Sequence, residues 1–187
     1  MQYISNTRFP PNTVGVVLTH DEQADAYFDE YMGIRDFHYT KRRPWETEGG
    51  VDKYDAHSKY VLLVESGHVV AGCRIISDVI GLPVRDVLRE HGLPTDQIPE
   101  GSCEISRFVI HPDYLGKKET GEYVDTLART VKKHCQDSQI PGVFAVMISV
   151  LEKWMQRLNI PVFPLSQPVT INHGDQSFRT VRLPTDE

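Results

Sequence analysis

The chain has 187 residues, 40% of them hydrophobic and 25% charged, with a formal net charge of −6. That is an ordinary globular composition, and such a chain buries roughly two-thirds of its unfolded surface without disulfides or metals. The longest apolar run, Val143 to Val150 broken by Ser149, is far short of the ~18–20 residues needed to span a bilayer.

The excess acid lies wholly in the first hundred residues, which hold 10 Lys+Arg against 16 Asp+Glu, while the remainder hold 10 of each. No basic stripe marks a nucleic-acid footprint, and the acidic half suits a small cationic ligand. Met1–Pro11 is polar and has no apolar segment, so it does not read as a secretory leader and a cytoplasmic location is expected. Cys73, Cys103 and Cys135 are odd in number and widely spaced, which predicts buried, inert thiols rather than a disulfide framework or a zinc knuckle.

In chain order, Val14 to Thr19 is a β-branched strand-like run after a polar lead-in, and Thr19 with Glu22 forms a T-x-x-E capping box that predicts a helix start. Ala24, Tyr27, Phe28, Tyr31 and Ile34 recur at helical spacing and carry that helix past Arg35. Pro44 and Gly49-Gly50 place residues 44–57 in a loop. Tyr60 to Glu65 and Val69 to Ile76 read as strands of a hairpin around Ser66-Gly67-His68, and Pro83 to Leu88 as a short helix before a polar loop over residues 92–101. Cys103 to Ile110 is a further strand ended by Pro112, and Thr120 to Cys135 an amphipathic helix with Val124, Leu127, Ala128, Val131 and Cys135 on one side. A buried strand at Val143 to Ile148, a helix at Leu151 to Leu158 and a strand at Val162 to Leu165 follow. A closing hairpin pairs Val169 to Asn172 with Phe178 to Leu183. The pattern predicts one α/β (α+β) domain over residues 1–187, a central mixed, twisted sheet flanked by helices.

No nucleophile elbow, phosphate-binding P-loop, dinucleotide fingerprint or H-E-x-x-H motif is present, and a metal site is not expected. What remains is charge in costly places. Arg74 sits inside the apolar run Val69 to Ile76, and Glu104 and Arg107 inside Cys103 to Ile110; buried ions need partners. One reading is a structural ion pair between Glu104 and Arg74. The other is a cleft, which Glu104 and Arg107 can share only if a β-bulge intervenes, since positions three apart on a regular strand face opposite sides. Asp52 and Asp55 follow a Gly pair, with Arg35, Tyr39 and Trp45 before them. They form either a solvated loop or a site in which carboxylates hold an ammonium, an aromatic face a positive centre and an arginine a carboxylate.

The succession Arg35-x3-Tyr39-x5-Trp45, Asp52-x2-Asp55, Gly72-Cys-Arg74 and Glu104-Ile-Ser-Arg107-Phe108 resembles the acyl-homoserine-lactone synthase, or autoinducer synthase, family. The resemblance is well marked over residues 35–108 and weaker through residues 145–158 and the closing hairpin. It implies a fold like that of the GNAT acyltransferases. The implied reaction passes a fatty acyl group from a thioester on acyl carrier protein, or on coenzyme A, to the amine of S-adenosylmethionine, with lactonisation and loss of methylthioadenosine. No prosthetic group is implied. Glu104 would be the general base and Arg107 its orienting partner. Arg35, Tyr39 and Trp45 would surround the adenosylmethionine, with Asp52, Asp55 and Arg74 ordering the site, and backbone N–H groups near Phe108 would hold the oxyanion. Lys117, Lys118, Arg129, Lys132 and Lys133 are candidates for docking an acidic carrier protein, or simply a solvated helix face.

The chain departs from the family pattern in three ways. Tyr39 stands where Phe is usual, the Trp45 to Asp52 interval is short, and the chain ends soon after its last hairpin, which leaves acyl-pocket size open. An N-acyl amino acid synthase would share the Glu104 and Arg107 pattern. A non-catalytic ligand sensor would use the same pocket without turnover. A plain coenzyme A acetyltransferase fits less well, because Gly116-Lys-Lys-Glu-Thr-Gly121 is a poor pyrophosphate loop.

Overall fold

The computed structural model describes residues 1–4, 12–19, 26–41, 51–170 and 177–183. Its strands are β1 (Gln2–Ile4), β2 (Thr13–Thr19), β3 (Ser58–Glu65), β4 (His68–Ser77), β5 (Cys103–Ile110), β6 (Val143–Ile148), β7 (Phe163–Pro164), β8 (Val169–Thr170) and β9 (Ser177–Leu183). Its helices are α1 (Ala26–Asp36), α2 (Pro83–Glu90), α3 (Glu119–Asp137) and α4 (Ser149–Arg157). One mixed sheet runs β1-β2-β3-β4-β5-β6-β9-β7, with β8 paired to β9. β5 and β6 are its parallel pair; the other neighbours are antiparallel.

Both faces of the sheet are covered, which is why β3 and β4 read as nearly continuous apolar runs. Tyr60, Leu62 and Val64 pack with Phe28, Tyr31 and Ile34 of α1, while Val61 and Leu63 face Val124, Leu127 and Val131 of α3. Val84 and Leu88 of α2 cover Ile76 and Phe144 on the α1 side. The three cysteines are buried and unbridged, with Cys103 Sγ 3.9 Å from Cys135 Sγ. Burial pushes the Cys73 thiol up.

Most predicted elements are present, with instructive differences. β1 pairs with β2 although its sequence is merely a polar lead-in; an edge strand of three residues is too short to show alternation. Thr19 ends β2, paired with Lys59, and its capping-box partner Glu22 lies outside the described residues. The helix continues past Arg35 as a wide π-type turn, Phe37–Lys41. The β3–β4 hairpin turns on two residues, Ser66 (φ 52°) and Gly67 (φ 86°), so His68 already belongs to β4. That left-handed pair matches the twist of the strands it joins.

Two irregularities shape the centre. Gly72 pairs with Val109 and Arg74 with Ser106, so Arg107 and Phe108 together oppose Cys73. This is the β-bulge on which a face shared by Glu104 and Arg107 depended, and Arg107 sits in it at φ 51°, an uncommon conformation for a residue with a side chain. The parallel ladder between β5 and β6 also covers only Cys103↔Val143, Glu104↔Phe144 and Ile105↔Ala145. Beyond Ile105 the two strands part and leave a cleft.

Candidate active site

The bulge decides which side chains meet. Ser106 and Arg74 are cross-strand partners and share the α1 face, where Arg74 Nε donates to Ser106 Oγ at 3.0 Å. A regular strand would send Arg107 to the opposite face; the bulge returns it to the α1 side, where its Nη2 lies 3.0 Å from Asp52 Oδ2. Its guanidinium also stacks 4.9 Å from the Tyr39 ring centroid.

Arg35, Arg74, Arg107, Asp52 and Asp55 form one network. Arg74 grips Asp52 with two hydrogen bonds of 2.7 and 3.0 Å, and its Nη1 is also 3.0 Å from Asp55 Oδ1. Fully buried Arg35 holds Asp55 in the same forked manner at 2.7 and 3.1 Å. Tyr60 donates its hydroxyl to Asp55 Oδ1 at 2.9 Å, and the backbone N–H of Asp52 donates to Asp55 Oδ2 at 2.8 Å. The Tyr54 N–H donates to Asp52 Oδ1 at 2.9 Å. Burial raises the Asp55 carboxyl, but the Arg35 hydrogen bonds and the Arg74 charge outweigh it and hold the group at about 2. Asp52 is shifted down for the same kind of reason, Arg74 overcoming burial.

This geometry corrects the reading of the two aspartates as direct holders of an ammonium group. A carboxylate offers about four lone-pair sites, and those of Asp52 and Asp55 are taken by arginines, a tyrosine and backbone N–H groups. Their hydrogen bonds and ion pairs go to Arg35, Arg74 and Arg107. Residues 51–54 are loop as expected, but the reading of the pair as merely solvated fails for Asp55, which is buried.

Glu104 is equally buried but is not paired with Arg74, so the first of the two readings, a structural Glu104–Arg74 ion pair, is not met among the described residues. Its Oε2 accepts the Val84 N–H at 2.6 Å, in the first turn of α2. Burial pushes its carboxyl up to about 8, with the Val84 hydrogen bond and the Arg74 charge opposing only in part. A buried carboxyl poised near neutrality on the α1 face of β5 is suited to proton transfer.

Two cavities lie near the bulge, one bordered by Asp52, the partner of Arg107, and the other by Phe108. One, of about 300 Å³, is bordered by Phe28, Met32, Asp52, Asp55 and Tyr60. The other, of about 370 Å³, lies between the sheet, α3 and α4; Ile105, Phe108, Val131, Met155 and Leu158 line it, and Arg129 and Lys132 stand at its edge. Lys117 and Lys118 precede α3, some 11 residues before Arg129, about 16 Å along the helix at 1.5 Å per residue. Arg129 pairs with Asp125 and Lys133 with Asp137, while Lys117 lies over the Tyr114 ring. The basic candidates therefore form two groups rather than one patch.

Trp45 lies outside the described residues. Sequence reasoning missed Tyr31, Phe28, Met32, Tyr60 and Ser106. Tyr31 and Phe28 look like ordinary members of an apolar helix stripe, and Tyr60 like a strand residue; only the fold turns their polar ends or ring faces toward the site.

The sequence of residues 26–121 matches the acetyltransferase (GNAT) domain family model. No curated protein sequence matches significantly. Among solved structures, the AHL synthase LasI superposes with a TM-score of 0.77 at 21% identity, covering 93% of this chain and 90% of that one. BjaI, a CoA-dependent acyl-homoserine lactone synthase solved with SAM and isopentyl-CoA, gives 0.63 at 21% identity over 90% and 82%. FeeM, an N-acyl amino acid synthase from uncultured soil microbes, gives 0.67 at 11% identity over 92% of each chain. At these identities the likeness speaks for the fold.

Proposed function

The chain belongs to the GNAT acetyltransferase family, and from that premise we propose that this acyltransferase makes an N-acyl-homoserine lactone from S-adenosylmethionine and a fatty-acyl thioester. One observation carries the reading. Adjacent residues of a single bulge serve two cavities of different character: Arg107 reaches the Asp52 side, and Phe108 lines the apolar cavity behind the sheet. An acyl chain fits the second, and a charged amine substrate the first, so that amine and thioester meet at the bulge.

The chemistry follows from these positions. Glu104, directly or through a water, takes a proton from the substrate ammonium. The freed amine attacks the thioester carbonyl, its C–N bond forms, the C–S bond breaks, and the thiolate leaves with a proton. The Arg35, Arg74 and Arg107 network presents positive charge to the methionyl carboxylate. Phe28, Tyr39, Tyr60 and, by resemblance, Trp45 offer ring faces to the sulfonium and adenosyl groups. Backbone N–H groups near Phe108, where β5 has left β6, stabilise the oxyanion. In the second step the carboxylate attacks its own γ-carbon and expels methylthioadenosine; the leaving group is already activated, so positioning suffices. These substrates are cytoplasmic metabolites, and the described residues include no helix long and apolar enough to cross a membrane.

Incubation with S-adenosylmethionine and acyl thioesters of carrier protein or coenzyme A is expected to yield methylthioadenosine and acyl-homoserine lactone in equal amounts by mass spectrometry. An acylated amino acid without methylthioadenosine would favour the N-acyl amino acid synthase reading that the likeness to FeeM supports. Binding without any product would favour a sensor. Arg129 and Lys132, beside the apolar cavity, lead the proposed carrier-docking set, with Lys133 next in the chain and Lys117 and Lys118 just before α3. Charge reversal at Lys132 and Lys133 is expected to raise the KM for acyl carrier protein roughly tenfold at low salt and to leave the KM for S-adenosylmethionine unchanged. An unchanged carrier KM would remove the patch from the account.

A further inference from the structure

Three donors from one continuous stretch of chain hold the outer half of β5, where it no longer has β6 beside it. Tyr31 Oη donates to the Arg107 carbonyl at 3.0 Å, and Tyr39 Oη to the Phe108 carbonyl at 3.3 Å. His38 Nε2 lies 2.7 Å from the Ile110 carbonyl; a carbonyl only accepts, so that nitrogen carries the hydrogen. Buried carbonyls need partners, and here α1 and its terminal π-type turn supply them. Tyr31 and His38 are seven residues apart, two helical turns, and so lie on one stripe with Arg35 between them. The wide turn lets the consecutive His38 and Tyr39 both reach the same strand, the kind of local insertion that recurs at functional sites.

The seat of Tyr31 is specific as well. Its ring lies on Gly72, the β4 residue next to the bulge, so closely that a Cβ there would stand 2.7 Å from Tyr31 Cδ2. Glycine at this point lets the ring lie against the sheet with its hydroxyl at the Arg107 carbonyl.

We infer that Tyr31 and His38 are positioning residues which, with Tyr39, clamp the Arg107–Phe108 bulge so that neighbouring side chains face the two substrate cavities. The inference rests on the reading of those cavities given above. Its physical basis is the period of a strand: without the bulge, one residue of slip sends Arg107 to the α3 face, away from Asp52. A left-handed conformation at a residue with a side chain persists only where its surroundings over-determine it, and these three hydrogen bonds act on the carbonyls there beside the Asp52 ion pair and the Tyr39 stack of the Arg107 side chain.

The test combines amide hydrogen exchange of the free protein with steady-state kinetics. Tyr31→Phe removes one hydroxyl, His38→Leu removes the ring donor, and His38→Gln restores an N–H at similar reach. Tyr31→Phe and His38→Leu are each expected to speed exchange in a peptide covering residues 105–110 about tenfold, with α3 unchanged. Each should also lower kcat about tenfold or more per folded enzyme while both KM values stay within about threefold, the signature of lost alignment rather than lost binding. His38→Gln should recover most of both. Unchanged exchange in Tyr31→Phe and His38→Leu overturns the clamp, and faster exchange with normal kcat overturns its role in catalysis. A wild-type protein that yields no acylated product overturns the reading of the cavities instead, and the exchange measurement still decides the clamp.

Discussion

Glu104→Gln is expected to lower kcat roughly 10²- to 10⁴-fold, the range that general-base assistance supplies, with little change in either KM. Gln keeps a side-chain oxygen for the Val84 N–H, the bond Glu104 accepts at 2.6 Å, so the start of α2 remains held and only the base is lost. The wild-type rate should rise with pH along a limb centred near the value of about 8 to which burial pushes the carboxyl, because the base must be ionised. In Glu104→Gln that limb should vanish. Stability gives an independent readout. The folded protein keeps this proton more tightly than the unfolded chain, whose carboxyl titrates near the ordinary value of 4.5. The corresponding stabilisation is complete below that pH and is lost as pH rises to about 8. The variant escapes that loss, so its Tm relative to wild type should be higher at pH 9 than at pH 4. Near-normal turnover would leave Glu104 as a cap for α2 and nothing more.

The second large effect falls on stability. Asp55→Ala takes from Arg35, which is 0% exposed, its forked carboxylate and leaves a guanidinium buried without that counter-charge. Breaking a buried pair in this way costs about 3–5 kcal/mol, readable as a lowered urea midpoint at unchanged slope. Arg107→Met, by contrast, removes a pair whose members are 20% and 27% exposed; its cost in stability should be below about 1 kcal/mol although turnover falls. The pH dependence has the opposite sign to that of Glu104. Asp55 is held at about 2 against an ordinary 3.8, so its stabilisation is present above pH 3.8 and is lost as pH falls through about 2. Acid titration of wild type should show this loss, and that of Asp55→Ala should not. A cost within about 1 kcal/mol for Asp55→Ala would mean that the network orders the site without supporting the fold.

The elements were legible where burial is one-sided or complete over many residues. The stripe through Val124, Leu127 and Val131 became α3, and the apolar runs at residues 60–65 and 69–76 became β3 and β4. The candidate site was named from residues in costly places, of which Arg35, Arg74, Arg107, Asp52 and Asp55 are joined in one network. Their pairing was not. The sequence suggested Glu104 with Arg74, but the fold gives Arg74 to the aspartates and leaves Glu104 to the end of α2. Partner choice depends on residues brought together from positions 20 to 55 apart in the chain, and no local pattern encodes such a meeting.

By itself the sequence determined most of the helices and strands, the burial of its cysteines, and the conditional statement that Glu104 and Arg107 could share a cleft only across a bulge. Periodicity carries that information because side-chain direction repeats every two residues in a strand and every 3.6 in a helix. The tertiary structure decided that the bulge exists, that Arg107 thereby crosses to the α1 face, and that Tyr31, His38 and Tyr39 hold it there. The cause is that a bulge is a disagreement between two strands: β4 and β5 differ by one residue over the same length, and neither strand alone records the difference.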